Sequence, residues 1–181
     1  MILPVYLYNH PVLRQKAEPI TDMDDATVAF IENMFDTMRN ANGIGLAANQ
    51  VGSTKAVTVI DAIETDDGES TRPMVLINPV IESMSDNEID YEEGCLSLPD
   101  YRDSVTRPEA IQVRYLDQFM KEQTHEVDGF LARVMQHEID HLNGIYFFER
   151  LSPLRRTLGK NKLKKIERGI IEPDYEYVLG K

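Results

Sequence analysis

Residues Gly129 to Leu151 read GFLARVMQHEIDHLNGIYFFERL, and within them His137-Glu138-Ile139-Asp140-His141 spells H-E-x-x-H. On a helix, positions i and i+4 share a face with Cβ atoms about 5–6 Å apart, so two imidazoles can converge on one ion at about 2.0–2.1 Å each. Glu138 falls just beside that face, placed to exchange a proton with an attacking water. Val134 and Phe130 lie on the same face one and two turns earlier, which predicts an apolar pocket beside the ion. The longer protease form of the motif adds a glycine and a third histidine. Here Gly144 is present, but Phe147 stands where that histidine would be.

Two histidines leave a catalytic metal site one ligand short. Glu167 downstream is a carboxylate of the right type, but it lies in a basic segment with no motif around it. Cys95 sits in Glu92–Pro99, EEGCLSLP, where Gly94 permits close backbone approach and Pro99 fixes the exit. A thiolate binds a borderline metal at about 2.3 Å, and two His with one Cys leave the fourth tetrahedral position open, as catalysis requires. The bland reading of a lone cysteine is a small core residue; its surroundings favour a ligand. His10 and His125 have no such company and read as structural or surface residues.

The rest of the chain supplies strands and one earlier helix. Val28, Ile31, Met34, Phe35 and Met38 recur at helical spacing, Asp22, Asp24 and Asp25 suit the start of that helix, and Gly43 is placed to end it. KAVTVID and PMVLINPVIESM read as strands around a polar loop at 62–72. In AIQVRYLD, Ile111, Val113 and Tyr115 alternate with Gln112, Arg114 and Leu116; EQTHEV is expected to pair with it, and Asp128-Gly129 turns into the histidine helix. With no βαβ rhythm and no repeat, the expectation is α+β: mixed or antiparallel sheets around a central helix carrying H-E-x-x-H, followed by a C-terminal helix. A length of 181 residues fits one domain, with 152–181 as the helix and tail.

Composition narrows the class of function. At 42% hydrophobic and 28% charged residues, with no run of about 18 apolar residues, the chain reads as globular and not membrane-spanning. The start, MILPVYLYNHPVL, has neither a basic n-region nor a cleavage site, and the lone cysteine suits a reducing compartment, so a cytoplasmic location is expected. A net charge of −12 argues against nucleic-acid sequence recognition, yet residues 149–168 carry a local +6. That segment, from Arg150 to Arg168, is read as a cationic helix able to dock on the ribosome, with Leu154, Leu158, Ile166 and Ile170 holding its other face to the body.

A third segment, GIGLAANQVG at Gly43–Gly52, combines turn glycines with Gln50, whose amide can donate a hydrogen bond. Together, GIGLAANQ, EGCLSLP and QHEIDHLNG, in this order, resemble the three motifs of the peptide deformylases, and NHPVLR is similar as well. The resemblance runs from Pro4 to about Leu154. It implies a hydrolase that removes the formyl group from N-terminal formylmethionine of nascent chains during protein biosynthesis and releases formate. By that resemblance Cys95, His137 and His141 hold one divalent ion, generally Fe(II), with Zn, Ni or Co also accepted. Glu138 is the catalytic acid and base, and Gln50 with the Leu96 N–H forms the oxyanion hole. Gly43, Ile44, Gly45, Arg102, Phe130 and Val134 are the expected substrate contacts, although Arg102 reads equally well as half of a surface ion pair. Asn49 is read as a variable position of little consequence. The competing readings are an H-E-x-x-H peptidase with another third ligand, and a non-catalytic metal- or ribosome-binding protein.

Overall fold

Strand β1 (Val5–Tyr6) opens the chain, and a short 3-10 turn follows at Pro11–Arg14, in a computed structural model that describes residues 1–61 and 70–180. His10 starts that turn, its Nδ1 accepting from Val12 N at 3.3 Å, which bears out its reading as structural. Helix α1 (Asp25–Asn40) is capped by Asp24, whose carboxylate accepts from Thr27 N at 2.7 Å. Ile31, Met34 and Met38 are buried as expected, whereas Val28 is 41% exposed and Thr27 and Thr37 take inward positions. The helix ends through Asn42, in the left-handed region at φ 54°, rather than through Gly43. Asparagine tolerates that conformation because its short polar side chain bonds locally.

Five strands form an antiparallel sheet in the order β2-β3-β4-β7-β8: β2 (Gly45–Ala47), β3 (Val57–Ile60), β4 (Met74–Met84), β7 (Ala110–Leu116) and β8 (Glu122–Asp128). The expected pairing of EQTHEV is found: Val113 of β7 lies opposite His125 of β8. His125 is exposed, as its sequence context implied. Of the polar loop expected at 62–72, residues 62–69 lie outside the described residues. Between β4 and β7 the chain leaves the sheet to make a long antiparallel hairpin, β5 (Glu88–Cys95) and β6 (Leu98–Pro108), closed by the two-residue turn Leu96-Ser97.

Helix α2 (Gly129–Leu142) carries the two histidines. Ala132, Met135 and Ile139 pack on Ile60, Leu76 and Val113 of the five-stranded sheet, so one face is fixed by apolar burial. Gly144, at φ 73°, ends the run, and a Cβ there would come within 2.5 Å of the Arg14 carbonyl oxygen. Phe147, in the place of the missing third histidine, is fully buried and stacks on His137 with ring centroids 6.1 Å apart. It supports a candidate ligand instead of being one.

Helix α3 (Pro153–Glu167) is capped by Ser152, with Pro153 at its first turn, and a tail returns to lay β9 (Tyr177–Val178) parallel to β1. Leu163 and Ile166 bury into the core around Tyr101, Phe147 and Phe148. The expected anchoring by Leu154, Leu158 and Ile170 is overturned: these are 71%, 71% and 64% exposed. Three-residue spacing from Leu163 to Ile166 selects a different stripe of the helix for the body.

Candidate active site

The end of β5 meets the middle of α2, and there the three segments singled out by sequence come together. Cys95 Sγ lies 3.2 Å from His141 Nε2, which lies 3.2 Å from His137 Nε2. These three form a group of potential ligand atoms within 4.8 Å of one another. Bonds of about 2.0–2.3 Å in a tetrahedral arrangement require ligand atoms about 3.3–3.6 Å apart, so the trio fits a metal ion with little adjustment. Glu167 is elsewhere, on α3, accepting from Asn9 at 2.7 Å.

Burial and neighbouring charges set the two imidazoles apart from each other. Burial opposes a charged His137, but hydrogen bonds with Cys95 and Glu93, and the Glu138 charge, outweigh it and raise its pKa to about 10. Burial and the His137 charge hold His141 neutral, well below its ordinary value.

Glu93 is the residue that sequence reading missed. Its carboxylate is buried and accepts from Arg107 Nε at 2.7 Å, Arg107 Nη2 at 2.9 Å and Arg133 Nη1 at 2.7 Å, and it lies 2.8 Å from His137 Nδ1. That bond turns Nε2 of His137 toward the ligand trio. Arg107 also reaches Asp140 at 2.5 Å, and Arg150 joins Asp140 at 2.6 Å. One signal was present: on a strand, residues two apart point the same way, so Glu93 shares a side with Cys95. Asn49 is likewise more than a variable position, being buried and donating to the His141 carbonyl.

Glu138 is 4% exposed, and its Oε2 has no hydrogen-bond partner among the described residues. Burial raises its pKa to about 7, with the charge of His137 opposing and that of Glu93 adding to the rise. Gly45 lies directly against it: a Cβ there would fall 2.4 Å from Glu138 Oε1. Gln50 has its amide oriented, because Oε1 accepts from Ala47 N at 2.9 Å while Nε2 points to Cys95 Sγ at 3.4 Å and Ser97 Oγ at 3.2 Å.

These groups open into a cleft of about 640 Å³. Gly43, Ile44, Gly45, Gln50, Cys95, Leu96, Arg102, Phe130, Val134, His137 and Glu138 all line it, and His141 stands just behind. Arg102 is at the rim in an exposed pair with Glu92 at 3.2 Å, which is its surface ion-pair reading. The tail residues Glu172–Tyr175 form part of the wall, which no motif announced.

Two imidazoles from one helix, a thiol from a strand end and a buried carboxylate in an open cleft define a metallohydrolase-type site on an α+β fold. A sequence model of the family described as Polypeptide deformylase matches residues 2–157. The peptide deformylase of Salinibacter ruber is 44% identical over 98% of this chain and 95% of its own length. Among solved structures, a peptide deformylase from Legionella pneumophila superposes with a TM-score of 0.83 at 39% identity, covering 96% of this chain and 100% of that one. A Met-Ala-Ser-bound class I type b peptide deformylase from Acinetobacter baumannii gives 0.79 at 35% identity, covering 83% of this chain and 99% of the other. The chain belongs to the polypeptide deformylase family.

Proposed function

We propose that this protein hydrolyses the formyl group from N-terminal formylmethionine of nascent polypeptides and releases formate, using Cys95, His137 and His141 as metal ligands. The observation that carries the reading is the Cys-His-His trio beside a buried, unpartnered Glu138 in a member of this family. A divalent cation, when held by the trio, would supply Lewis acidity, lowering the pKa of water towards neutrality and polarising the formyl carbonyl. Glu138 accepts the proton of the attacking water at Oε2 and returns a proton to the leaving amine. A carboxylate beside a proposed ligand, with one oxygen free of hydrogen bonds, suits both transfers. As the water oxygen bonds to the formyl carbon, the carbonyl oxygen gains charge, which the Gln50 amide and the Leu96 N–H stabilise. Collapse breaks the C–N bond and leaves formate and a free methionine amine.

Ile44, Phe130 and Val134 line the cleft beside Glu138 and supply an apolar place for the methionine side chain, with Gly43 and Gly45 allowing close approach of the peptide. The A. baumannii enzyme holds Met-Ala-Ser, a peptide with methionine first, which supports this direction of binding. Iron(II) is the proposed ion in the cell. Thiolate and imidazole ligands also accept zinc, nickel or cobalt, because affinity order alone does not decide occupancy. Action on nascent chains places the protein in the cytoplasm, and no helix among the described residues is long and apolar enough to cross a membrane. The cationic, largely exposed face of α3 is proposed to bind the ribosome. Reversing Lys160, Lys164 and Lys165 to Glu, all exposed, and finding unchanged co-sedimentation with ribosomes would defeat that part.

The test of the activity is anaerobic formate release from formyl-Met-Ala-Ser by metal-loaded protein, with the acetylated peptide as control. Cleavage of the formyl peptide alone is expected, together with loss of turnover but retention of metal in Glu138→Gln. Equal cleavage of both peptides, or of neither, overturns the proposal.

A further inference from the structure

We infer that the C-terminal tail after α3 is a working part of the cleft, and that Tyr175 is a positioning residue that holds the Leu96-Ser97 turn in place for catalysis. The inference rests on the oxyanion role proposed above for the Leu96 N–H. The family model matches residues 2–157, so the tail lies outside the matched stretch. It is nevertheless fastened at both ends. Gly169 turns the chain at φ 65°, after which Glu172–Tyr175 run along the cleft wall. The tail then pairs with β1, through Val5 N to the Glu176 carbonyl at 2.9 Å and Leu7 N to the Val178 carbonyl at 2.8 Å. Gly180 closes the run against the Tyr8 backbone, where a Cβ would come within 2.2 Å of the carbonyl oxygen.

From this anchored wall the Tyr175 hydroxyl donates to the Leu96 carbonyl at 2.6 Å. The other groups of the turn are held from elsewhere: Tyr8 N donates to the Ser97 carbonyl at 2.9 Å, and Gln50 Nε2 donates to Ser97 Oγ at 3.2 Å. The turn joins Cys95, a ligand candidate, to Leu98, and contains the Leu96 N–H. Its two carbonyls and the Ser97 hydroxyl are thus tied to three separate stretches of the chain, one of them the tail. A phenol with an ordinary pKa of about 10 keeps its proton at neutral pH, so Tyr175 acts there as a donor. Losing the bond frees the Leu96–Ser97 peptide unit to rotate and, through the Leu96 Cα, shifts the adjoining unit that carries the Leu96 N–H; a misplacement of about 1 Å in a catalytic group can cost about 100-fold in rate.

Tyr175→Phe tests this, since it removes the hydroxyl and keeps the ring in the core around Tyr101 and Phe148. In cobalt-loaded protein acting on formyl-Met-Ala-Ser, kcat is expected to fall about tenfold, below the roughly 10²–10³ for complete loss of an oxyanion donor. KM, bound cobalt and the calorimetric Kd for the product Met-Ala-Ser are expected to stay within twofold, while a peptide hydroxamate that mimics the oxyanion binds about tenfold more weakly. Unchanged kcat and hydroxamate affinity overturn the inference. So does an equal weakening of Met-Ala-Ser and hydroxamate, because that marks general loosening of the cleft. An active wild type with an unaffected variant sinks this inference alone; a wild type that releases no formate sinks the deformylase reading and takes the inference with it.

Discussion

Replacing Glu93 with Gln would remove one negative charge from a site where the side chains of Glu93, Arg107 and Arg133 are 4%, 4% and 3% exposed. The amide keeps the size of the carboxylate but replaces one acceptor oxygen with a donor, which then faces the N–H groups of Arg107 or His137. Asp140 remains as partner for Arg107, but it is already shared with Arg150. Breaking a buried ion pair from one side typically costs about 3–5 kcal/mol, because the partner charge stays buried. At about 2–4 °C per kcal/mol for a chain of this size, the Tm of the metal-free protein should fall by about 6–20 °C. His137 also loses the partner that orients it, and such losses typically weaken metal binding 10–100-fold. Urea unfolding of metal-free protein and chelator competition for cobalt measure the two effects separately. A loss under about 1 kcal/mol with unchanged metal affinity would refute the reasoning. The pH dependence supplies a check on sign. Burial opposes ionisation of Glu93, but His137 and Arg107 outweigh it and hold its pKa below the ordinary 4.5. A carboxylate with a depressed folded pKa stabilises above its unfolded value and loses that contribution as pH falls. Metal-free wild type should therefore lose stability below about pH 4.5 more steeply than Glu93→Gln.

Cys95→Ser should weaken cobalt binding by more than about 100-fold, beyond the usual effect of losing an outer partner, and should abolish the sulfur-to-cobalt charge-transfer absorption; retained metal would revive a different third ligand. In Gly45→Ala the new methyl would overlap Glu138 Oε1, so kcat should drop about 100-fold with metal content intact, as read by formate release alongside metal analysis. Near-normal kcat would show that Glu138 need not stay where it is. Arg102→Ala breaks an exposed pair, so urea unfolding should change by less than about 1 kcal/mol while KM for formyl-Met-Ala-Ser rises. A change in stability without one in KM would reduce Arg102 to a surface partner.

Much of the site was legible because its chemistry is local. H-E-x-x-H sets two proposed ligands and a proposed proton shuttle on one helix, and EGCLSLP carries the proposed third ligand beside a turn that only a few residues build. Glu93 was readable in part, through its two-residue offset from Cys95, but nothing in its neighbourhood reveals that Arg107, Arg133 and His137 converge on it. Of the residues expected to attach α3, only Ile166 does so. Leu154 and Leu158 are as apolar as Leu163 and Ile166, and only the position of β6 and its Tyr101 selects between the stripes.

The sequence by itself determined the donor types of the candidate site: two imidazoles four residues apart, the carboxylate between them, and the strand and helix that carry them, because residue spacing sets side-chain direction within one element. The tertiary structure decided what no spacing encodes. It placed Cys95 against His141, made Phe147 a support for His137, gathered the buried ion pairs around Glu93, and brought Tyr175 back to Leu96 across 79 positions of chain. Contacts of that reach depend on how sheets, hairpin and helices pack together, and burial then sets the charge states that make the assembled site reactive.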